Sequence, residues 1–383
     1  MTESPFTAIR RAGDLVFVAG QIAPEAGGDV AAQTAAVLTR VEELLDGVDA
    51  RLSDVVDVTA FVKDPRWCAD VLDAARPFFP QDPPAWTLAG FTGSAWAPGA
   101  LVMIRVTAHT GAEPKRCLTP PAQAWRSRYP MSSAVAKGPL VFVGGQLATK
   151  PDGTVEPPFD HVAQSRACYA GLADCLKEAG GDFSDVLGFT SFHEDIRGAL
   201  PTMDEVYTKE IMAGVDLGTV ATTSHLGSTG LLTRGALGTF HALADLSPGG
   251  RVGNTPDSIW WKGVLPIAGA TRKRRGRVIT VAGQVACNPD GSIHAPGDPD
   301  RQAVYIFDCM REALEGVGAG LGDVVEISSF HKDPRSLPGV LSVAAPYFGD
   351  NRPAWTAAAV PGLWMEGYLH EIAATAVVSD DLT

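Results

Sequence analysis

The feature that most constrains this chain is internal repetition: four landmarks recur three times in the same order along 383 residues. An apolar run ending in Gly-Gln appears as LVFVAGQI (Leu15 to Ile22), LVFVGGQL (Leu140 to Leu147) and VITVAGQV (Val278 to Val285). A glutamine early in an amphipathic segment follows at Gln33, Gln164 and Gln302, spaced 131 and 138 apart. Next come DVVDVTAFVKD, DVLGFTSFHED and DVVEISSFHKD, ending on Asp64, Asp195 and Asp333 at the same two spacings. The fourth landmark is PAWT (Pro84 to Thr87), VATT (Val220 to Thr223) and PAWT (Pro353 to Thr356).

Each unit reads strand, strand, helix, strand, helix, strand, strand, because VAAQTAAVLTRVEELLDGV and ADVLDAARPFF carry apolar residues at i, i+3, i+4 spacing. The expectation is an α+β protein with helices on one face of each sheet. Ala112 to Arg128 and Ser247 to Gly263, rich in proline, glycine and polar residues, read as linkers, which sets domains at 1–112, 113–250 and 251–383. With 44 acidic and 31 basic side chains the formal charge is −13, which argues against nucleic acid and for a small-molecule substrate. No apolar run approaches the roughly 18 residues of a membrane span. Six cysteines without a CxxC pair, and a start without a basic n-region or apolar h-region, point to reduced thiols and a cytoplasmic protein.

The order SPF, LVFVAGQI, AQT, DVVDVTAFVKD, a helix ending in FF, PAWT and LVMIRVTA resembles the Rid (reactive intermediate deaminase, YjgF-like) family, three times over. The resemblance implies chorismate-mutase-like domains assembled as a self-contained pseudo-trimer around a central barrel, with clefts between neighbouring copies and further oligomerisation left open. It also implies cofactor-independent hydrolysis of enamines and imines such as 2-aminoacrylate. In the family an arginine in a PAR[ST] motif grips the substrate carboxylate and a glutamate on the last strand positions water. The arginine position reads Trp86, Thr222 and Trp355 here, and the glutamate position reads Met103, Thr239 and Glu371. Glu371 is therefore the candidate catalytic carboxyl. Indole in place of guanidinium makes Trp86 and Trp355 candidate walls for a neutral or ring-bearing substrate, or else packing residues. Phe6 aligns with the tyrosine that lines the family's cleft, and Met131 takes that place in copy two.

Other polar residues fall outside the family pattern. Ser191-Phe-His193 and Ser329-Phe-His331 put a serine and a histidine on one strand face, so His193 and His331 are candidate acid–base groups or satisfied core histidines. Thr222 and Ser224 are expected to face a cleft, with His225 on the opposite side of the strand. Arg105, two residues beyond Met103, is expected on the same inward side as His241 and Glu371, either paired with a neighbour or replacing the missing cation. The run Thr271 to Arg277 reads as a solvated turn. Histidine and cysteine spacing suggests no metal, and no glycine-rich phosphate loop is present, so catalysis without a cofactor is expected. Three functions remain open: a Rid-like hydrolase of an imine, enamine or related C–N bond; a cyclic-amide hydrolase, lyase or tautomerase on the same scaffold; and a non-catalytic small-molecule binder.

Overall fold

The computed structural model describes residues 6–93, 97–216 and 219–379. In the first copy β1 (Ile9–Ala12) and β2 (Leu15–Gln21) form a hairpin, followed by α1 (Val30–Asp46), β3 (Val55–Val62), α2 (Cys68–Ala75), β4 (Ala85–Gly90) and β5 (Val102–His109). The sheet order is β1-β2-β5-β3-β4. β3 and β4 run parallel, which requires the α2 crossover, and β5 inserts antiparallel between β2 and β3.

Copy two contains β6 (Arg116–Leu118), β7 (Ala134–Lys137), β8 (Leu140–Gln146), α3 (His161–Ala179), β9 (Val186–His193), α4 (Ala199–Thr202), β10 (Thr222–Gly227) and β11 (Gly238–Asp245). Its α4 continues as a π-helical stretch over Met203–Ile211. Copy three contains β12 (Arg251–Asn254), β13 (Ala270–Lys273), β14 (Val278–Gln284), α5 (Pro299–Glu315), β15 (Val324–His331), α6 (Leu337–Phe348), β16 (Ala354–Ala359) and β17 (His370–Val377). The three mixed sheets share one core topology, and among the described residues no helix is long and apolar enough to cross a membrane.

The repeated polar landmarks have structural reasons. Gln33 donates to the carbonyls of Gly27 and Gly99 and accepts from the Leu101 amide, tying α1 to the loop before β5. Gln164 does the same with Pro157, Gly235 and Leu237, and Gln302 with Ala295, Gly367 and Leu369. A buried amide with both ends satisfied fixes where helix and loop meet. Asp64, Asp195 and Asp333 cap the turns after β3, β9 and β15, accepting from the amides of Arg66, Arg197 and Arg335.

Three sequence expectations change. The stretch 112–128 supplies β6, and 247–263 supplies β12 together with two tryptophans that return below, so the linkers are built into the domains. The basic run is half buried: Thr271, Arg272 and Lys273 lie in β13, and Lys273 pairs with Asp185 of copy two at 2.6 Å. The sheets do not close into one barrel. Neighbouring copies meet through isolated bridges such as Ala85–Ser132, Leu226–Leu363 and Thr7–Ala354, so three open sheets face one another around a shared cavity.

Candidate active site

Strand register identifies equivalent positions without an alignment. Asp57 lies opposite Ala85 in copy one, Gly188 opposite Thr222 in copy two, and Glu326 opposite Ala354 in copy three. The next residues, Trp86, Thr223 and Trp355, are therefore equivalent. Matching PAWT to VATT by sequence had paired Trp86 with Thr222, a slip of one residue that reverses the strand face. Thr222 instead faces the axis, where its hydroxyl donates to Thr280 Oγ1, which in turn donates to the Leu187 carbonyl.

Three clefts follow. The strand pairs β4 and β8, β10 and β14, and β16 and β2 meet across the junctions. Beside the Gly-Gln glycines Gly20, Gly145 and Gly283 stand Met103, Thr239 and Glu371. Trp86 is fully buried against Phe79 at a ring distance of 6.0 Å. Trp355 packs on Phe6 at 5.2 Å and on Phe307 at 6.1 Å, with its Nε1 donating to Ser329 Oγ at 2.8 Å. These two tryptophans and Phe6 are packing residues, because their rings are used up by core neighbours and they line neither cavity described here.

In the junction between copies two and three the smaller Thr223 takes the tryptophan's place, and a pocket remains. Its walls are Thr223, Ser224 and His225 of copy two with Glu371, Trp260, Trp261, Trp364 and Tyr368 of copy three. Trp260 lies 6.1 Å from Trp364 and 6.0 Å from Trp261, and His225 lies 5.5 Å from Trp364. The enclosed space is about 20 Å³, room for a group the size of one water. The half-buried Trp260 and Trp364 bound this space, and a ring would fit only with both displaced.

Burial pushes the Glu371 carboxyl up to about 8, against the His225 amide, which donates to its Oε1 at 3.3 Å and favours the charged form. At neutral pH it is mostly a neutral acid. Two buried nitrogens of the wall have no partner among the described residues, His225 Nε2 and Trp260 Nε1.

His225 also ends a hydrogen-bonded chain. Its Nδ1 lies 2.7 Å from Ser191 Oγ, Ser191 Oγ lies 2.8 Å from His193 Nε2, and His193 Nδ1 lies 2.8 Å from His161 Nε2. The pair Ser191 and His193 sits beneath the helices, as strand parity suggests, and α3 brings His161 onto it. Burial lowers all three imidazoles, His225 to about 4, so they are neutral at pH 7.

Copy three has a related chain with a different outcome. Trp355 Nε1 donates to Ser329 Oγ, which bonds His331 Nε2 at 2.8 Å, and His331 Nδ1 lies 2.9 Å from His370 Nδ1. An indole N–H is donor only, so it occupies one lone pair of Ser329 Oγ, and His331 and His370 are both fully buried. His331 lines neither cavity and is placed as a hydrogen-bonded core histidine, the second of the two expectations for it.

The remaining candidates face the axis. Arg105 and His241 line the central cavity, but Arg105 is committed to Glu326 at 2.9 Å and so does not replace the missing cation beside Glu371. Ser224 lines both spaces. His225, His161, Trp260, Trp261, Trp364 and Tyr368 were not identified from sequence. A tryptophan doublet inside a supposed linker was the available signal.

The model of the family described as endoribonuclease L-PSP matches residues 1–110, 122–219 and 270–378. The RutC family protein YjgH of Escherichia coli is 42% identical over 64 residues, 17% of this chain and 47% of that protein, so the match spans about half of the relative's length. A RutC family protein of Pyrococcus abyssi is 34% identical over 88 residues, 23% of this chain and 69% of its own. A solved structure of a YjgF/YER057c/UK114 family member from Mycobacterium tuberculosis covers 33% of this chain and 99% of its own at 28% identity and TM-score 0.29. A chorismatase structure superposes over 85% of this chain and 93% of its own with TM-score 0.55 at 14% identity, a likeness of fold. With the family's model matched three times across most of the chain, the chain belongs to the endoribonuclease L-PSP (RutC/YjgF) family and carries that domain in three tandem copies.

Proposed function

We propose that this chain is a cofactor-independent enzyme that hydrolyses an imine, enamine or related C–N bond of a small ring-bearing substrate between copies two and three. Glu371 is the general acid. It protonates the enamine carbon or imine nitrogen, water adds to the resulting iminium carbon, and the carbinolamine collapses to a carbonyl compound and an amine. The tryptophan walls, with no arginine or lysine among the lining residues, suit a neutral or aromatic substrate better than a small carboxylate. They are equally a poor fit to the phosphodiester that the name endoribonuclease suggests.

The observation that carries this reading is the proton path. With each imidazole neutral, the chain has two self-consistent arrangements. In one, His161 Nε2–H donates to His193 Nδ1, His193 Nε2–H to Ser191, Ser191 O–H to His225 Nδ1, and His225 Nε2–H points into the pocket. In the other every proton has moved one place towards the pocket, His161 Nδ1 has gained one, and His225 Nε2 offers a lone pair. The two differ by one proton carried between the half-buried His161 and the pocket. An amine leaving as ammonium at pH 7 takes up one proton per turnover, which this path supplies. A binding protein has no use for it, which favours catalysis over the non-catalytic reading.

Cyclic imines and enamines without a carboxylate are the test panel, with carbonyl product measured. Turnover is expected to fall above pH about 8 as Glu371 ionises. Glu371→Gln should lose about 100-fold or more in kcat. Ser191→Ala, which cuts the path outside the pocket, should lower kcat with KM unchanged and respond to added imidazole. Full turnover by Glu371→Gln, or binding of the panel without turnover, overturns the assignment.

A further inference from the structure

The cavity on the axis between the copies is separate from the Glu371 pocket, although Ser224 borders both. Register sorts its lining into layers. Phe61, Phe192 and Phe330 form one layer, with ring centroids 5.8 to 6.1 Å apart in edge contacts, and close one end. Thr59, Thr190 and Ser328 come next, beside Arg105 and His241. Asp57, Gly188 and Glu326 follow. Leu15, Leu140 and Val278 lie at the far end. About 120 Å³ is enclosed, space for about four waters or a molecule of roughly four to six non-hydrogen atoms.

The charges in this space do not balance. Arg105 Nη1 bonds Glu326 Oε1 at 2.9 Å and Ser328 Oγ at 3.2 Å, and Thr375 Oγ1 bonds Glu326 Oε2 at 3.3 Å, so the cation and one carboxylate satisfy each other. Among the described residues Asp57, 8% exposed and lining the same cavity, accepts no hydrogen bond and joins no ion pair, and Arg105 acts on it only at longer range. Thr59, 1% exposed and one layer below, has an unpartnered hydroxyl oxygen. His241 is held neutral by burial and by Arg105. An unpaired carboxylate in a largely buried cavity favours a cation that brings hydrogen-bond donors. A metal ion fits poorly, since the described residues contain no cluster of three or more His, Cys, Asp or Glu side chains that could hold one, and Arg105 repels a divalent charge.

We propose that the axial cavity is a binding site for a small primary ammonium ion, held by the Asp57 carboxylate and Thr59 hydroxyl, with its short alkyl tail over the Phe61, Phe192 and Phe330 edges. The apolar end favours an alkylammonium over ammonium itself, and the enclosed volume limits the tail to a few carbons. The site does not depend on the reaction assigned to Glu371.

Ethylammonium chloride titrated into the full chain by calorimetry, at ionic strength matched with sodium chloride, tests this. The expected result is saturable one-to-one binding, weakened at least tenfold in Asp57→Asn, weakened several-fold in Thr59→Val and unchanged in Glu371→Gln. Tetramethylammonium, which has no N–H, should not compete. The proposal is overturned if ethylammonium gives no saturable signal, if Asp57→Asn binds as wild type does, or if sodium or tetramethylammonium binds equally well. Should Asp57→Asn fail to fold, unchanged binding in Thr59→Val overturns it. Loss of ethylammonium binding in Glu371→Gln would place the ligand in the other pocket and likewise overturn it.

Discussion

Replacing Glu371 with glutamine tests whether a neutral acid faces the pocket. The amide keeps the shape of the carboxyl and can still accept from the His225 amide, so packing is retained while titration is removed. The wild-type carboxyl has an ordinary value of 4.5 and is raised to about 8 in the fold. Between those values the folded protein binds more protons at this group than the unfolded chain does, so wild-type stability falls as pH rises. The slope is about 1.4 kcal/mol per pH unit. Relative to the variant, wild type should lose roughly 2–3 kcal/mol between pH 6 and pH 8. The buried imidazoles act with the opposite sign: His225, lowered to about 4, withdraws stability as pH falls below 6.5. That contribution is common to both proteins and cancels in the difference. Denaturant unfolding at pH 6, 7 and 8, followed by tryptophan fluorescence and far-UV circular dichroism, measures it. A stability difference that stays constant across this range would mean that Glu371 is ionised throughout, and the general-acid assignment would fail with it.

Arg105→Met removes the cation paired with Glu326, in an ion pair whose side chains are 16% and 7% exposed. A carboxylate left buried beside Asp57 should cost about 3–5 kcal/mol in denaturant unfolding, and a loss below about 1 kcal/mol would show that the pair is solvated. Thr239→Glu puts a carboxyl at the equivalent position of the cleft between copies one and two, where Trp86 fills the space and Leu88, Ala60 and Val62 replace His225, Ser191 and His193. In a Glu371→Gln background it should restore no turnover, and rescue would show that the proton path is dispensable.

The architecture was legible because spacing survives divergence. The glutamines and aspartates that mark each copy are capping and bridging residues whose partners lie within the same copy, so local sequence contains them. Glu371 was legible through the family resemblance, which implies a glutamate at that point of the last strand. The rest of the site was not, because it forms across a junction. No periodicity within copy two shows that His225 meets a carboxyl from copy three, or that α3 sets His161 against His193. The one-residue slip between PAWT and VATT had a large effect. It put Thr222 in the cleft and His225 outside it, and register alone corrected the pair.

Fusing the copies explains how such a site is tolerated. In a homotrimer every residue occurs in all three clefts, so a tryptophan that plugs one plugs all, and a buried acid must be accommodated three times. Here Trp86 and Trp355 fill two junctions with packed aromatic surface, while the third keeps a pocket that holds the Glu371 carboxyl with the unpartnered His225 Nε2 and Trp260 Nε1. Their destabilisation is borne once, against the packing of the whole chain. The axis follows the same rule. Three identical carboxylates in the layer of Asp57, Gly188 and Glu326 would repel one another across a narrow space. Divergence leaves a glycine, a carboxylate paired with Arg105, and Asp57, whose charge the protein itself leaves unmatched.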